Sequence, residues 1–170
     1  MRTGSADSRP LSEAAVRTLL GPESATAALG RWFCDAGTAV TAQLFAGETA
    51  ALPASLSPWF AEAEDEPFGY RHVQLVGGAT VFSEAEIWYR AAALDGHMQR
   101  LLSETDMPFG AVVAPLRPRR LAIAVRAGPL CIDALLLVDG ATLAVARERY
   151  HEPAMLAGWQ ARQESAVRAA

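Results

Sequence analysis

The sequence predicts a single α+β domain, with helices packed on one curved antiparallel sheet. Three observations lead there. Two β-rich runs, 70–76 and 79–89, flank Gly77-Gly78, as in a hairpin whose turn residues need positive φ. Short apolar runs, 121–126, 130–138 and 141–150, follow one another across turn signals that include Asp139-Gly140. Segments with apolar residues at helical spacing precede, interrupt and follow these runs.

Residues 1–10 are small, polar and charged and are expected to be disordered, leaving a domain over 11–168. Ser12 with Glu13 starts a short helix that Gly21-Pro22 ends. Ser24 caps a second helix to about Ala36, with Leu29, Trp32 and Phe33 on its apolar stripe. Thr38 to Phe45 reads as a strand. Gly47 to Pro67 reads as a loop, in which Trp59-Phe60 is a lid or an anchor and the acidic run from Glu62 to Glu66 is solvated surface. Leu94 to Glu104 reads as a helix facing Leu94, Met98, Leu101 and Leu102 inward. Phe109 to Pro115 reads as a short strand and Leu116 to Arg120 as a basic turn. Met155 to Val167 closes the chain as a helix.

Composition narrows the function classes. Of 170 residues, 51% are hydrophobic and 20% charged, which suits a packed core rather than a disordered chain. The net charge is −4 with no basic block, so a nucleic-acid partner is not expected. All 15 cationic residues are Arg, which removes lysine Schiff-base and Walker-type chemistry. Cys34 and Cys131 lie in apolar runs and read as buried free thiols in a reducing compartment. His72, His97 and His151 show no metal-ligand spacing, and no metal or cofactor is expected. Neither a signal peptide nor a membrane span is visible, so the expected setting is cytoplasmic, as a monomer or homodimer.

The hairpin carries the candidate chemistry. With Gly77-Gly78 as a two-residue turn, Arg71 falls opposite Glu84. One face then carries Arg71, Val73, Leu75, Thr80, Phe82, Glu84, Glu86 and Trp88. That mixture is either an exposed face with a cross-strand ion pair or a pocket floor on which apolar walls strengthen a few charges. The absence of GxGxxG, GxxxxGK[ST] and GxSxG leaves arginines and glutamates near aromatic groups. Such a set suits a small carboxylated organic molecule.

Arg71-His72-Val73, Trp88-Tyr89, Leu94 and Thr105-Asp106-Met107-Pro108-Phe109-Gly110 together resemble the chorismate pyruvate-lyase superfamily, particularly its divergent bacterial branch. The similarity runs from about Arg31 to Met155, and Glu148-x-Tyr150 is among its clearest marks. The resemblance implies an α+β fold with a site under flaps. It also implies cofactor-free elimination of pyruvate from chorismate to leave 4-hydroxybenzoate. It places a carboxylate-binding arginine on Arg71, a backbone contact on Pro108-Phe109-Gly110, with Phe109 in place of Leu, and the catalytic glutamate on Glu148 beside Tyr150. The second carboxylate-binding arginine falls on Glu86, a charge reversal. Arg119 or Arg120 then supplies the missing cation, or the register slips toward Arg90, or the substrate differs.

The same fold class includes effector-binding domains of transcription regulators. A related enzyme of specialised metabolism (a cyclase, lyase or isomerase) using Glu86, or a non-catalytic ligand-binding module, therefore stands as an alternative. Phe82 and Trp88 would be Glu86's apolar neighbours, and no helix-turn-helix is read ahead of the domain.

Overall fold

The computed structural model describes residues 24–34, 37–45, 47, 49–63, 67–127 and 129–169. The expected disorder over 1–10, the first helix, most of the acidic run and Gly128 lie outside these residues. The described residues form the predicted α+β domain, one six-stranded antiparallel sheet with helices on it. In chain order they give α1 (Ala25–Trp32), β1 (Val40–Leu44), a 3₁₀ segment (Ser57–Ala63), β2 (Phe68–Gly77) and β3 (Thr80–Arg90). Next come a 3₁₀ turn (Ala91–Ala93), α2 (Gly96–Glu104), the one-turn α3 (Phe109–Val112) and a second 3₁₀ turn (Ala114–Leu116). β4 (Arg119–Ala127), β5 (Leu130–Val138), β6 (Ala141–Tyr150) and α4 (Glu152–Ala169) complete the domain. The strand order is β1-β2-β3-β6-β5-β4.

Local chemistry explains the boundaries. Ser24 caps α1 by accepting from Ala27 N, and Asp95 caps α2 by accepting from Met98 N at 2.8 Å. Because Asp95 is the cap, the helix expected from Leu94 begins at Gly96. The β5–β6 turn uses Asp139 and Gly140 at φ of 50° and 87°, as a primed two-residue turn requires. Phe109 to Pro115, expected as a strand, is helical instead. Pro108 at extended φ/ψ precedes a single α turn, and Pro115 enters the following 3₁₀ turn. Arg117 then turns through left-handed φ/ψ, and the basic segment enters β4 at Arg119.

The helices cover the inner face of the sheet. Ala28 and Leu29 of α1, Met155 of α4, and Val73, Leu75, Phe82 and Ile132 form one cluster. Met98, Leu102, Phe109 and Val113 pack with Ile87, Leu136 and Ala146 in a second. On the outer face, Leu56 and Phe60 pack against Trp88, Leu135 and Val145. Phe60 is thus a buried anchor, whereas Trp59 is 44% exposed. Trp88 Nε1 donates to Ala50 O at 3.1 Å, pinning the loop that brings this segment across the sheet.

One irregularity governs the sheet's chemistry. In the β2–β3 pair, Gly77 faces Thr80 and Val76 faces Val81, but Leu75 faces Ser83, so Phe82 is an extra residue in β3. This β-bulge reverses the side-chain parity of the strand beyond it. Ser83, Ala85, Ile87 and Tyr89 therefore share the inner face with Arg71, Val73 and Leu75. Glu84, Glu86 and Trp88 lie outside with Tyr70 and His72. Arg71 pairs with Ile87 rather than Glu84, and the turn is displaced to Gly78-Ala79, where Gly78 has φ of 61°.

Candidate functional site

Arg71 rises from β2 into the inner face and is 3% exposed. Its Nη2 donates to Thr105 O at 2.9 Å. Its Nε and Nη1 are buried and have no hydrogen-bond partner among the described residues. Burial lowers its pKa from the ordinary arginine value, opposed by Tyr89 and Asp106. A guanidinium stays protonated in proteins regardless, so Arg71 is a buried cation with two unused donors. Tyr89, two residues beyond Arg71's cross-strand partner Ile87, lies over Gly69. A Cβ at Gly69 would sit 2.3 Å from the Tyr89 ring, so only glycine admits the phenol there. The ring also packs against Phe109, with centroids 5.2 Å apart. Burial raises the Tyr89 pKa, opposed by Arg71.

A second polar cluster stands on β4 and β6. Arg120 Nη2 and the Tyr150 hydroxyl each donate to Glu148 Oε2 at 2.6 Å. Both side chains of the ion pair are 6% exposed. Burial works to lower the Arg120 pKa, but Glu148 and Tyr150 outweigh it and the net direction is upward. The Tyr150 pKa is pushed well above its ordinary value, chiefly by burial and then by Glu148, with Arg120 opposing. Tyr150 is therefore a neutral hydrogen-bond donor near pH 7.

A cavity of about 50 Å³ lies between the sheet and its cover. Its floor includes Val73, Ala85, Ile87 and Ala146, and Arg120 stands at its side. Ser24 to Thr26 at the start of α1 and Pro108-Phe109-Gly110 roof it. That volume holds a few waters. A six-membered ring would enter only as the roof lifts.

The sequence-predicted residues thus divide. Arg71, Phe109, Gly110, Arg120, Glu148 and Tyr150 share the inner-face region. Glu86 and Trp88 do not. Glu86 accepts from Tyr70 Oη at 3.2 Å and pairs with Arg149 at 2.8 Å on the outer face. Arg119 is exposed on β4, one residue out of phase with Arg120. The charge reversal at Glu86 therefore does not confront Arg71, because the bulge turns Glu86 away. Phe82 is on the inner face and is not its neighbour. Tyr89 and the Ser24–Thr26 roof were not anticipated. Tyr89 follows from counting one extra residue in β3, whereas the roof carries no local sequence signal.

The rest of the outer face is a ladder of ion pairs. Asp133 accepts from Arg126 at 3.0 Å and from Arg147 at 2.9 Å, and Glu84 contacts His72 at 2.9 Å. Cys34 and Cys131 are buried free thiols, as expected, and Arg126 Nη2 donates to Cys131 Sγ at 3.0 Å. Among the described residues no group of three or more His, Cys, Asp or Glu is placed to hold a metal. No helix among them is long and apolar enough to cross a membrane.

No protein-family model matches the chain. It is 33% identical over 114 residues to y4mC, an uncharacterised protein of Sinorhizobium fredii, covering 64% of this chain. The chain spans about half, 48%, of that relative's length. Among solved structures, it is similar to the ligand-binding domain of a protein assigned to the GntR family of transcriptional regulators, from Bordetella bronchiseptica. There the TM-score is 0.48 at 14% identity, over 69% of this chain and 85% of the other. It is also similar to YydK of Bacillus subtilis, assigned as a transcriptional regulator. That match has a TM-score of 0.49 at 12% identity, over 69% of this chain and 61% of the other.

Proposed function

We propose that this chain binds a small organic carboxylate on the inner face of the sheet, with Arg71, two residues along β2 from the cavity-lining Val73, as the anchor. The observation that carries the reading is the pair of buried donors on Arg71, Nε and Nη1, that have no hydrogen-bond partner among the described residues. A buried donor without a partner costs free energy, and a carboxylate is a strong acceptor for a guanidinium N–H. Apolar floor residues would hold the body of the ligand, and the cluster around Glu148 would fix its far end. Isothermal titration with 4-hydroxybenzoate tests this. Binding that weakens at least about tenfold in Arg71→Ala supports it. Equal affinity in the two proteins would remove Arg71 from the site.

A second reading is a carbon–oxygen lyase acting on chorismate, and Glu148 with Tyr150 favours it. Eliminating the enolpyruvyl group breaks the ether C–O bond, removes a ring proton and aromatises the ring. The departing oxygen needs a proton, and the released enolpyruvate becomes pyruvate. The Glu148 carboxylate, which accepts from Tyr150, would take the ring proton and return it to the departing oxygen. Incubation with chorismate, following pyruvate and 4-hydroxybenzoate together, separates the readings. Stoichiometric appearance of both that Glu148→Ala abolishes establishes the lyase. Binding without turnover leaves a ligand-binding module.

A further inference from the structure

The two thiols of the chain stand in different electrostatic surroundings. Cys34 lines a cavity of about 560 Å³ between the β2–β3 turn and α4. Its walls include Gly77, Phe82, Ala157 and Gly158, and no charged residue lines it. Cys131 is 7% exposed and lines a cavity of about 390 Å³ on the outer face of the sheet. Pro129, Arg126, Arg147 and Arg149 complete that lining. Three guanidiniums thus share a cavity wall with one sulfur, on the side of the sheet away from Arg71.

The sheet register produces this grouping. Arg126 of β4 and Arg149 of β6 are the direct cross-strand partners of Cys131 on β5, so an arginine flanks the sulfur on each neighbouring strand. Arg126 Nη2 donates to Cys131 Sγ at 3.0 Å. Carboxylates are equally numerous nearby, but they stand further off. Asp133, two residues along β5, accepts from Arg126 and Arg147. Glu84 and Glu86 lie on β3, one strand beyond Arg149, and both pair with it. None of the three lines the cavity. Arg126 and Arg149 are half-exposed, and a guanidinium has five N–H donors. Each can therefore keep its ion pair and still offer donors to a carboxylate arriving from solvent.

We propose that Cys131 is a thiol–disulfide exchange site for small disulfides that carry carboxylates. Arg147 and Arg149 hold a carboxylate of the incoming molecule in the cavity, and its S–S bond comes to Cys131 Sγ. The Cys131 thiol gives its proton to solvent, and the thiolate attacks one sulfur of the disulfide. A new S–S bond forms to Cys131 and the original one breaks. The other half leaves as a thiolate and takes a proton from water. Cys131 is oxidised to a mixed disulfide while half of the reagent is reduced to a thiol, so the disulfide is the only oxidant required. This site is separate from the inner-face binding proposed above and does not depend on it.

Three small disulfides test the proposal on the whole chain at neutral pH. They are dithiodipropionate, a dianion, bis(hydroxyethyl) disulfide, which is neutral, and cystamine, a dication. The reaction is stopped with acid, and digestion with mass spectrometry assigns each adduct to Cys34 or Cys131. Each rate is divided by that of mercaptoethanol with the same disulfide, which removes the reagents' intrinsic differences. At Cys131 the dianion should react at least about tenfold faster than the dication, with the neutral reagent between them, and added KCl should shrink that ratio. The net charge of −4 works against this order, so it would have to come from the local arginines. At Cys34 the two charged reagents should agree within about threefold. Arg149→Gln should lower the Cys131 ratio at least about threefold, and an unchanged ratio in a folded variant overturns the proposal. No adduct on Cys131 from any reagent, where the urea-unfolded chain reacts, overturns it as well. So does a Cys131 ratio at or below one, because the flanking carboxylates would then cancel the arginines. An equal preference at both cysteines also overturns it, since the cause would not be local.

Discussion

Replacing Arg71 with methionine should strengthen the ligand-free fold while abolishing binding. Methionine keeps an unbranched, flexible side chain in the same space and removes the buried charge. Two unpaired buried donors each cost about 1–3 kcal/mol. Against this, the variant loses the 2.9 Å bond to Thr105 O, which for a charged donor contributes about 1.5–3 kcal/mol. Taking the middle of each range, about 4 kcal/mol gained against about 2 lost, the balance favours the variant by roughly 2 kcal/mol. In a chain of this length that raises Tm by roughly 2–10 °C. Urea unfolding followed by tryptophan fluorescence gives the free energy, and a thermal scan gives Tm, both without ligand. The same preparation titrated with 4-hydroxybenzoate should show no binding. An Arg71→Met protein that is less stable than the parent by about 1 kcal/mol or more would refute the reasoning. Arg71 would then be a brace for the 105–110 segment. Stability rising with affinity unchanged would refute it from the other side.

Three further outcomes follow from the same geometry. Glu86→Gln lies on the outer face, so it should leave the Kd for 4-hydroxybenzoate within about twofold; a larger change would place Glu86's influence across the sheet. Its loss of the half-exposed Arg149 pair should shift unfolding by less than about 1 kcal/mol. Gly158→Ala puts a Cβ 2.2 Å from Phe33 O, where α4 crosses the end of α1, and should cost about 1–3 kcal/mol, read as a lower urea midpoint with an unchanged m-value. Alkaline stability should be limited by Tyr150. Its folded pKa is raised, so above the unfolded value of about 10 the unfolded state releases a proton that the folded state keeps. Stability is then level below about pH 9 and falls as pH rises through 10, by up to about 1.4 kcal/mol per unit for this one group. Tyr150→Phe should flatten the slope, and an unchanged slope would refute the assignment.

Much of the architecture was legible because the signals are local. Asp139-Gly140, Ser24 and the apolar stripe of α2 each act within a few residues, and each produced the element expected of it. The 109–115 segment misled because Val112 and Val113 suit a strand as well as a buried helical turn. Contacts with Leu136 and Leu143, far along the chain, decide in favour of the turn. On the site, Arg71, Arg120, Glu148 and Tyr150 were identifiable as candidates from residue type and resemblance. Their grouping on one face was not, because it depends on four registers across five strands. Glu86 shows the limit most plainly. Its spacing from Gly77-Gly78 fits the Arg71 face only if the hairpin is regular, and the extra residue at Phe82 is invisible to a period-two count.

That extra residue lets β3 carry one residue more than its partner without losing register. Ser83 to Tyr89 stay opposite Leu75 to Gly69 because Phe82 stands outside the pairing. Deleting Phe82 would make Val76↔Val81 and Leu75↔Ser83 consecutive pairs, so it would empty a core position and leave Glu84, Glu86 and Trp88 on the outer face, with Trp88 still tied to Ala50. Straightening the bulge with Phe82 retained would do the opposite. Leu75 would then face Phe82 and Arg71 would face Glu86, carrying two carboxylates under the helices and expelling Ala85, Ile87 and Tyr89. The choice between two surfaces of opposite charge thus rests on whether one residue is paired or passed over.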